Sequence, residues 1–235
     1  LGFATTTEDL DGEEIARQAV TEPFTSDQVD AALAQMTGAI TQIPPMFSAV
    51  KVNGRRLYDY ARSGETVERP ERHVTISSFK QRQASTYDSA TQTQTIYFTV
   101  ACSKGTYVRT LAVDVGKVLG IPAVMSDLTR LKSGGFTLDE TVTFEEIAAH
   151  VDAGTAGALL APIDKALSQY PRVTLTDEQW QRVKNGAFIT AAEGQQTDPD
   201  ANTMVALVYQ NSLKCLYSYR PDEQRYKPFK MFAVN

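Results

Sequence analysis

Cysteine and histidine are scarce in this chain, two of each among 235 residues. Cys102 and Cys215 lie far apart in strand-like apolar runs. With only His73 and His150 to join them, they cannot assemble a convincing metal centre. The thiols read as buried and free, as in a cytoplasmic protein, with a disulfide as the alternative. Long apolar runs are missing as well. None approaches the roughly 18 residues of a membrane span, so no spanning helix is predicted, and no stretch has the pattern of a signal peptide. What remains is ordinary for a globular protein: 42% hydrophobic and 22% charged residues. The length suits one large domain, or a large and a small one.

The net charge of −5 argues mildly against a nucleic-acid partner, but its distribution matters more. Residues 1–50 and 136–200 each carry −7, whereas 51–82 carry +4, and 101–135 and 213–235 carry +3 each. Three basic segments separated by acidic ones can form one cationic face. Ordinary solvated charges are the competing reading.

The run Cys102-Ser103-Lys104-Gly105-Thr106-Tyr107-Val108-Arg109-Thr110-Leu111 is the most informative stretch. Before it, Ile96, Phe98, Val100 and Cys102 alternate with polar residues, which predicts a strand. After it, Val108, Leu111, Ala112, Val115, Val118 and Leu119 recur at helical spacing and stop at Gly120, a natural cap. Thr106 is then the expected N-cap, and Arg109 lies in the first turn, at the positive end of the helix dipole. That placement costs up to about 1 kcal/mol unless an anion sits opposite. An anion is therefore expected.

Elsewhere, Thr25 to Gln28 has capping-box spacing and opens a helix on Val29, Leu33 and Met36. The paired prolines of Ile43-Pro44-Pro45-Met46-Phe47 force an extended path, and Asn53-Gly54 is a hairpin dipeptide. Leu57–Arg62 reads as a short helix ended at Gly64, and residues 71–82 and 94–102 as strands. Two more capping boxes stand at Thr143 to Glu146 and Thr176 to Gln179. Met204–Tyr209 and Leu213–Tyr219 read as strands joined at Asn211-Ser212. The texture changes after Tyr170-Pro171, which predicts a larger α+β body followed by a small β-rich unit.

Three motifs, in this order, resemble the bacterial TruB family of tRNA pseudouridine synthases. They are Gly2-x-x-Thr5-x-Thr7-x-Asp9-x-x-Gly12; Pro44-Pro45-Met46-Phe47-Ser48-Ala49-Val50-Lys51 with Gly54, Leu57-Tyr58 and Ala61-Arg62; and Lys104 to Leu111 continued by Asp114, Gly116, Leu119-Gly120, Leu128 and Arg130-Leu131. The resemblance runs from Leu1 to about residue 140 and weakens beyond 171, where Tyr219-Arg220 and Lys227 to Phe232 carry it. It implies an α+β fold: a pseudouridine-synthase-type mixed or antiparallel β-sheet flanked by helices over 1–170, with an RNA-clamping insertion at 44–72, and a small β-rich PUA-like RNA-binding domain over 171–235. It also implies isomerisation of uridine 55 in the T arm of tRNA to pseudouridine, without metal or cofactor, by a cytoplasmic monomer.

The family's nucleophile is an Asp in a Gly-Thr-Leu-Asp-Pro-type loop, supported by a His and by a Tyr just before the Leu-Gly that opens this chain. None of the three is present. The only Asp-Pro, Asp198-Pro199, sits in a polar run and reads as a turn. The chain alone is expected to be inactive: the larger part of a synthase or, alternatively, a truncated non-catalytic RNA-binding module. By the resemblance, Arg109 is the partner of the absent nucleophile, with a scaffold carboxylate as its alternative partner. Tyr107 and Leu128 contact the substrate base, and Lys104 and Gly105 shape the substrate-facing turn. Lys51, Arg55, Arg56, Arg62 and Arg69 meet RNA phosphates.

Overall fold

A computed structural model describes residues 1–196, 199–201 and 203–232, so Asp198, expected in a turn, lies outside the described residues. The chain forms two compact units, Leu1–Leu128 and the residues from Thr129 on.

In the first unit β1 (Phe3–Thr5) pairs antiparallel with β2 (Glu14–Arg17). Helix α1 (Ser26–Gln35) is opened by the Thr25/Gln28 capping box. It buries Val29, Ala32 and Leu33, the i, i+3, i+4 stripe of an amphipathic helix. Strand β3 (Gly38–Gln42) leads into the insertion. There β4 (Lys51–Val52) and β5 (Arg55–Arg56) form a hairpin whose two turn residues, Asn53 and Gly54, have φ of 52° and 80°. Both values lie where an Asn-Gly turn matches the twist of the strands. The short helix α2 (Leu57–Arg62) follows, with Leu57 buried. Strands β6 (Arg72–Asp88) and β7 (Thr93–Cys102) complete an antiparallel sheet of order β3-β6-β7.

Helix α3 (Val108–Leu119) ends on Gly120, left-handed at φ 73°, as its sequence predicts. Leu111 and Val115 of α3 meet Val29, Leu33 and Met36 over Ile76 and Phe79 of β6, and these side chains are the core of the unit. Leu111 is fully shielded, a burial worth about 1.5–3 kcal/mol. That buried stripe fixes the rotation of α3, and with it the direction in which Arg109 and Thr110 leave the helix.

Two local expectations differ from the structure. The N-cap of α3 is Tyr107, not Thr106, because the Thr106 hydroxyl turns back to donate to the Ser103 carbonyl at 2.8 Å. Cys102 is exposed, because it is the last residue of β7, beyond Ile96, Phe98 and Val100, which pack on the core.

The second unit begins with the hairpin β8 (Lys132–Ser133) and β9 (Phe136–Thr137), then α4 (Phe144–Asp152) behind its Thr143/Glu146 capping box, and α5 (Ile163–Ala166). Strand β10 (Arg172–Thr174), helix α6 (Asp177–Val183) behind the Thr176/Gln179 box, and β11 (Ile189–Thr190) follow. Strands β12 (Met204–Tyr209), β13 (Ser212–Arg220) and β14 (Arg225–Met231) complete a sheet of order β10-β12-β13-β14-β11, in which only β10 and β12 run parallel. Trp180, Val183, Leu207 and Tyr217 lie in its core, where burial pushes the free Cys215 thiol up to about 12. Helices with mostly antiparallel strands make the chain α+β. Among the described residues no helix is long and apolar enough to cross a membrane.

Candidate functional site

The turn after β1 builds one wall of the site. The Asp9 carboxylate accepts from the Thr7 hydroxyl at 2.5 Å and from the Asp11 N–H at 3.2 Å, an Asx-type arrangement that fixes its rotamer. The Thr5 hydroxyl donates to the Asp9 carbonyl at 2.5 Å. Gly12 folds over this turn so closely that a Cβ there would lie 2.4 Å from Thr7 Oγ1, which excludes any larger residue without a shift.

Gln42, the last residue of β3 and 1% exposed, sets the second wall. Its amide pairs with the main chain of Tyr107, accepting from the N–H at 2.9 Å and donating to the carbonyl at 3.0 Å. A buried side-chain amide thus does for Tyr107 what a neighbouring strand would do, and α3 starts at a fixed point.

Arg109 closes the site. Its Nη1 donates to the Asp9 carboxylate and to the Thr7 carbonyl, both at 2.8 Å, and its Nη2 donates to the Phe47 carbonyl at 2.8 Å. Pro44 and Pro45 hold the segment carrying Phe47 off a helical path. The anion expected opposite Arg109 is present in the scaffold itself: Asp9, whose side chain is 21% exposed against 22% for that of Arg109. Burial pushes the Asp9 carboxyl up. The Thr7 hydroxyl, the Asp11 N–H and Arg109 outweigh it and hold the group below its usual range. A guanidinium has five N–H donors, and three are used here. Among the described residues no acceptor meets Nε–H or the second Nη2–H.

Beside this pair, the Thr110 hydroxyl donates to the Glu8 carboxylate at 2.7 Å. Burial pushes the Glu8 carboxyl above its usual value; Thr110, Arg109 and Arg69 oppose the shift without cancelling it, and Asp114 adds to it.

Tyr107 is half-buried at the start of α3, while Lys104 and Gly105 stand exposed in the turn before it, with Gly105 left-handed at φ 86°. Leu128 is 48% exposed, three residues past Met125, which bridges to Asp9. In the insertion, Lys51 and Arg56 are exposed. Arg55 is committed internally: it donates to both Glu65 oxygens at 2.8 and 3.0 Å and to Ser63, and lies over the Tyr60 ring. Arg62 covers Tyr58, whose ring meets Phe47 edge-on, and Arg69 donates to the Pro44 carbonyl at 3.0 Å. An open groove of about 890 Å³ runs along Lys51, Asn53 and Arg69. Among the described residues no cluster of His, Cys, Asp or Glu could hold a metal ion.

The structure therefore gathers Tyr107 and Arg109 with the root of the insertion. Asp9, Gln42 and Glu8 carried no assigned role in the sequence reading, although Asp9 stood in its first motif. The Thr7-x-Asp9 spacing was the available signal, since a hydroxyl two residues before an acid can fix that acid's rotamer.

The fold is found in other solved chains. That of a Cbf5–Nop10–Gar1 complex matches at a TM-score of 0.64 with 19% identity, covering 92% of this chain and 63% of that one. A chain from an H/ACA RNP bound to a substrate RNA containing 2′-deoxyuridine matches at 0.63 with 17% identity. This chain thus spans somewhat under two thirds of the solved chain in each case. The fold is shared with those chains. Family models sharpen the assignment: the TruB family pseudouridylate synthase N-terminal domain matches residues 1–108, and the tRNA pseudouridylate synthase B C-terminal domain matches residues 109–168. Curated proteins named tRNA pseudouridine synthase B match over the whole chain, at 99% identity in Lactiplantibacillus plantarum and 56% in Levilactobacillus brevis, covering 76% and 77% of those proteins. The chain belongs to the TruB family of pseudouridine synthases.

Proposed function

We infer that this chain serves the isomerisation of uridine to pseudouridine in tRNA, at position 55 of the T arm. The reaction breaks the bond between C1′ and N1, turns the detached base, and rejoins it to C1′ through C5. A carboxylate must attack C1′ or assist glycal formation, and it must stay ionised in a closed pocket, which is costly without a paired cation. The observation that carries the reading is Arg109. Three of its donors are anchored on Asp9, Thr7 and Phe47, while two, on Nε and Nη2, remain for a second carboxylate. Asp9 is committed to its own turn, so on this reading the reacting carboxylate comes from outside these 235 residues.

Tyr107 offers a ring for the extruded base, Leu128 its main chain, and Lys104 and Gly105 a close approach. Lys51, Arg56, Arg62 and Arg69 supply cations along the insertion, with Arg55 bracing its hairpin. On this reading residues 1–170 form the catalytic domain and 171–235 an RNA-binding one; all five strands of the larger sheet lie between Arg172 and Met231, which supports a separate C-terminal module, while the compact units divide earlier, after Leu128. The protein acts as a monomer in the cytoplasm, where its tRNA substrate is. The test places these 235 residues in the frame of the longer L. plantarum protein and measures pseudouridine in a T-arm stem-loop. Formation at that uridine supports the reading, and its absence overturns it.

A further inference from the structure

Glu8 and Asp9 are consecutive, yet their carboxylates part: Asp9 takes Arg109 and Glu8 takes Thr110. Two neighbouring residues of the turn thus grip two neighbouring residues of α3 in reverse order. We propose that Glu8 is a positioning residue of the reaction, the second point of a clamp that sets the angle at which Arg109 presents its two open donors. The proposal rests on the isomerase reading of the same site.

Three observations carry it. First, Glu8 has φ 65°, a left-handed conformation that is unfavourable for a residue with a Cβ and is kept only where the surroundings hold it. The holding contacts are its N–H donating to the Thr5 carbonyl at 3.3 Å, its carbonyl accepting from the Met125 N–H at 3.1 Å, and its carboxylate on Thr110. The reversal at this residue is what sends the two carboxylates apart. Second, Thr110 is 5% exposed on the rigid, core-packed first half of α3, so the anchor is immobile. Third, the charged and polar groups that act on Glu8 are Arg109, Thr110 and Asp114 from α3, and Arg69 from the insertion. A carboxylate that accepts from a buried hydroxyl within electrostatic reach of two guanidiniums, and shielded enough for its proton affinity to rise, is not a solvated surface charge. Without the Glu8 carboxylate, side-chain contacts join the turn to α3 through Arg109 alone; Glu8 adds a second residue of that helix as an anchor.

The experiment uses the L. plantarum frame carrying this chain and a T-arm stem-loop as substrate. Glu8→Ala is expected to lower kcat by about tenfold or more with KM changed less than about twofold, the signature of lost transition-state geometry. Glu8→Gln keeps an acceptor for Thr110 and should restore most of kcat. Thr110→Val should match Glu8→Ala, and the double variant should be no worse than either single one, since both remove the same link. Additive losses, a KM that rises as far as kcat falls, or a Gln variant no better than Ala each overturn the proposal. The clamp is also read without activity, in this chain alone, from the Tm values of the same four variants. Thermal effects of Glu8→Ala and Thr110→Val that simply add overturn it even if catalysis is never seen. An unmodified frame that makes no pseudouridine overturns the isomerase reading instead, so the two failures are distinguishable.

Discussion

Arg109→Lys is the substitution whose cost can be worked most fully from the geometry. Arg109 spreads its anchors over two nitrogens: Nη1 reaches Asp9 and Thr7, and Nη2 reaches Phe47, all at 2.8 Å. A lysine ammonium has three donors at one point on a stem without a planar fork. Placed to keep Asp9 it abandons the Phe47 carbonyl, and it has no Nε–H and no second edge for another carboxylate. The charge survives while at least one charge-assisted hydrogen bond at the reacting group does not. Such a bond is worth about 1.5–3 kcal/mol, which corresponds to about 10- to 150-fold in rate. On the proposed reading, affinity for RNA rests mainly on phosphate contacts spread along the insertion, so Kd should change by less than about threefold. Single-turnover pseudouridine formation and filter binding on the same stem-loop separate the two quantities. Equal losses in rate and affinity would make Arg109 an RNA-binding cation only, and an unchanged rate would remove it from the reaction.

Three further outcomes follow from the same geometry. Gln42→Ala should destabilise the fold by about 2–3 kcal/mol in urea titrations, because it strips the Tyr107 main chain of two buried partners; a loss below about 0.5 kcal/mol would mean that water replaces the amide. The Asp9 carboxyl is held below its ordinary 3.8, so the stability it lends is fully present above that value and is lost as pH falls through the depressed one. Asp9→Asn should therefore flatten the dependence of Tm on pH below about 4, and an unaltered curve would contradict the pairing. Neutralising Arg55, Arg56 and Arg62 together should reduce the slope of log affinity against log salt by about 0.7–0.9 for each phosphate left without its cation. Because Arg55 is bound to Glu65, most of the change should come from the other two, and an unchanged slope moves the RNA path off the insertion.

What the sequence discloses here is what is local. The capping boxes at Thr25, Thr143 and Thr176, the stop at Gly120 and the Asn53-Gly54 turn each depend on residues within one turn of one another, and all five stand where their spacing puts them. The oddity of a cation in the first turn of α3 was legible for the same reason, as was the need for an anion. The identity of that anion was not, since Asp9 is 100 residues away from Arg109, and Gln42 is 65 away from Tyr107. The Phe47 carbonyl is main chain and leaves no mark in composition at all. The one-residue error in the cap of α3 has a related cause: the distant amide of Gln42 holds the start of the helix, freeing the nearby hydroxyl of Thr106 for Ser103.

The most direct test compares pseudouridine content in a T-arm stem-loop after incubation with this chain alone and with the same 235 residues inside the L. plantarum frame. An Arg109 that waits for a carboxylate from elsewhere predicts conversion by the second protein and none above background by the first. Conversion by the chain alone would mean that a carboxylate among its own residues performs the attack, and that the two open donors of Arg109 serve some other group.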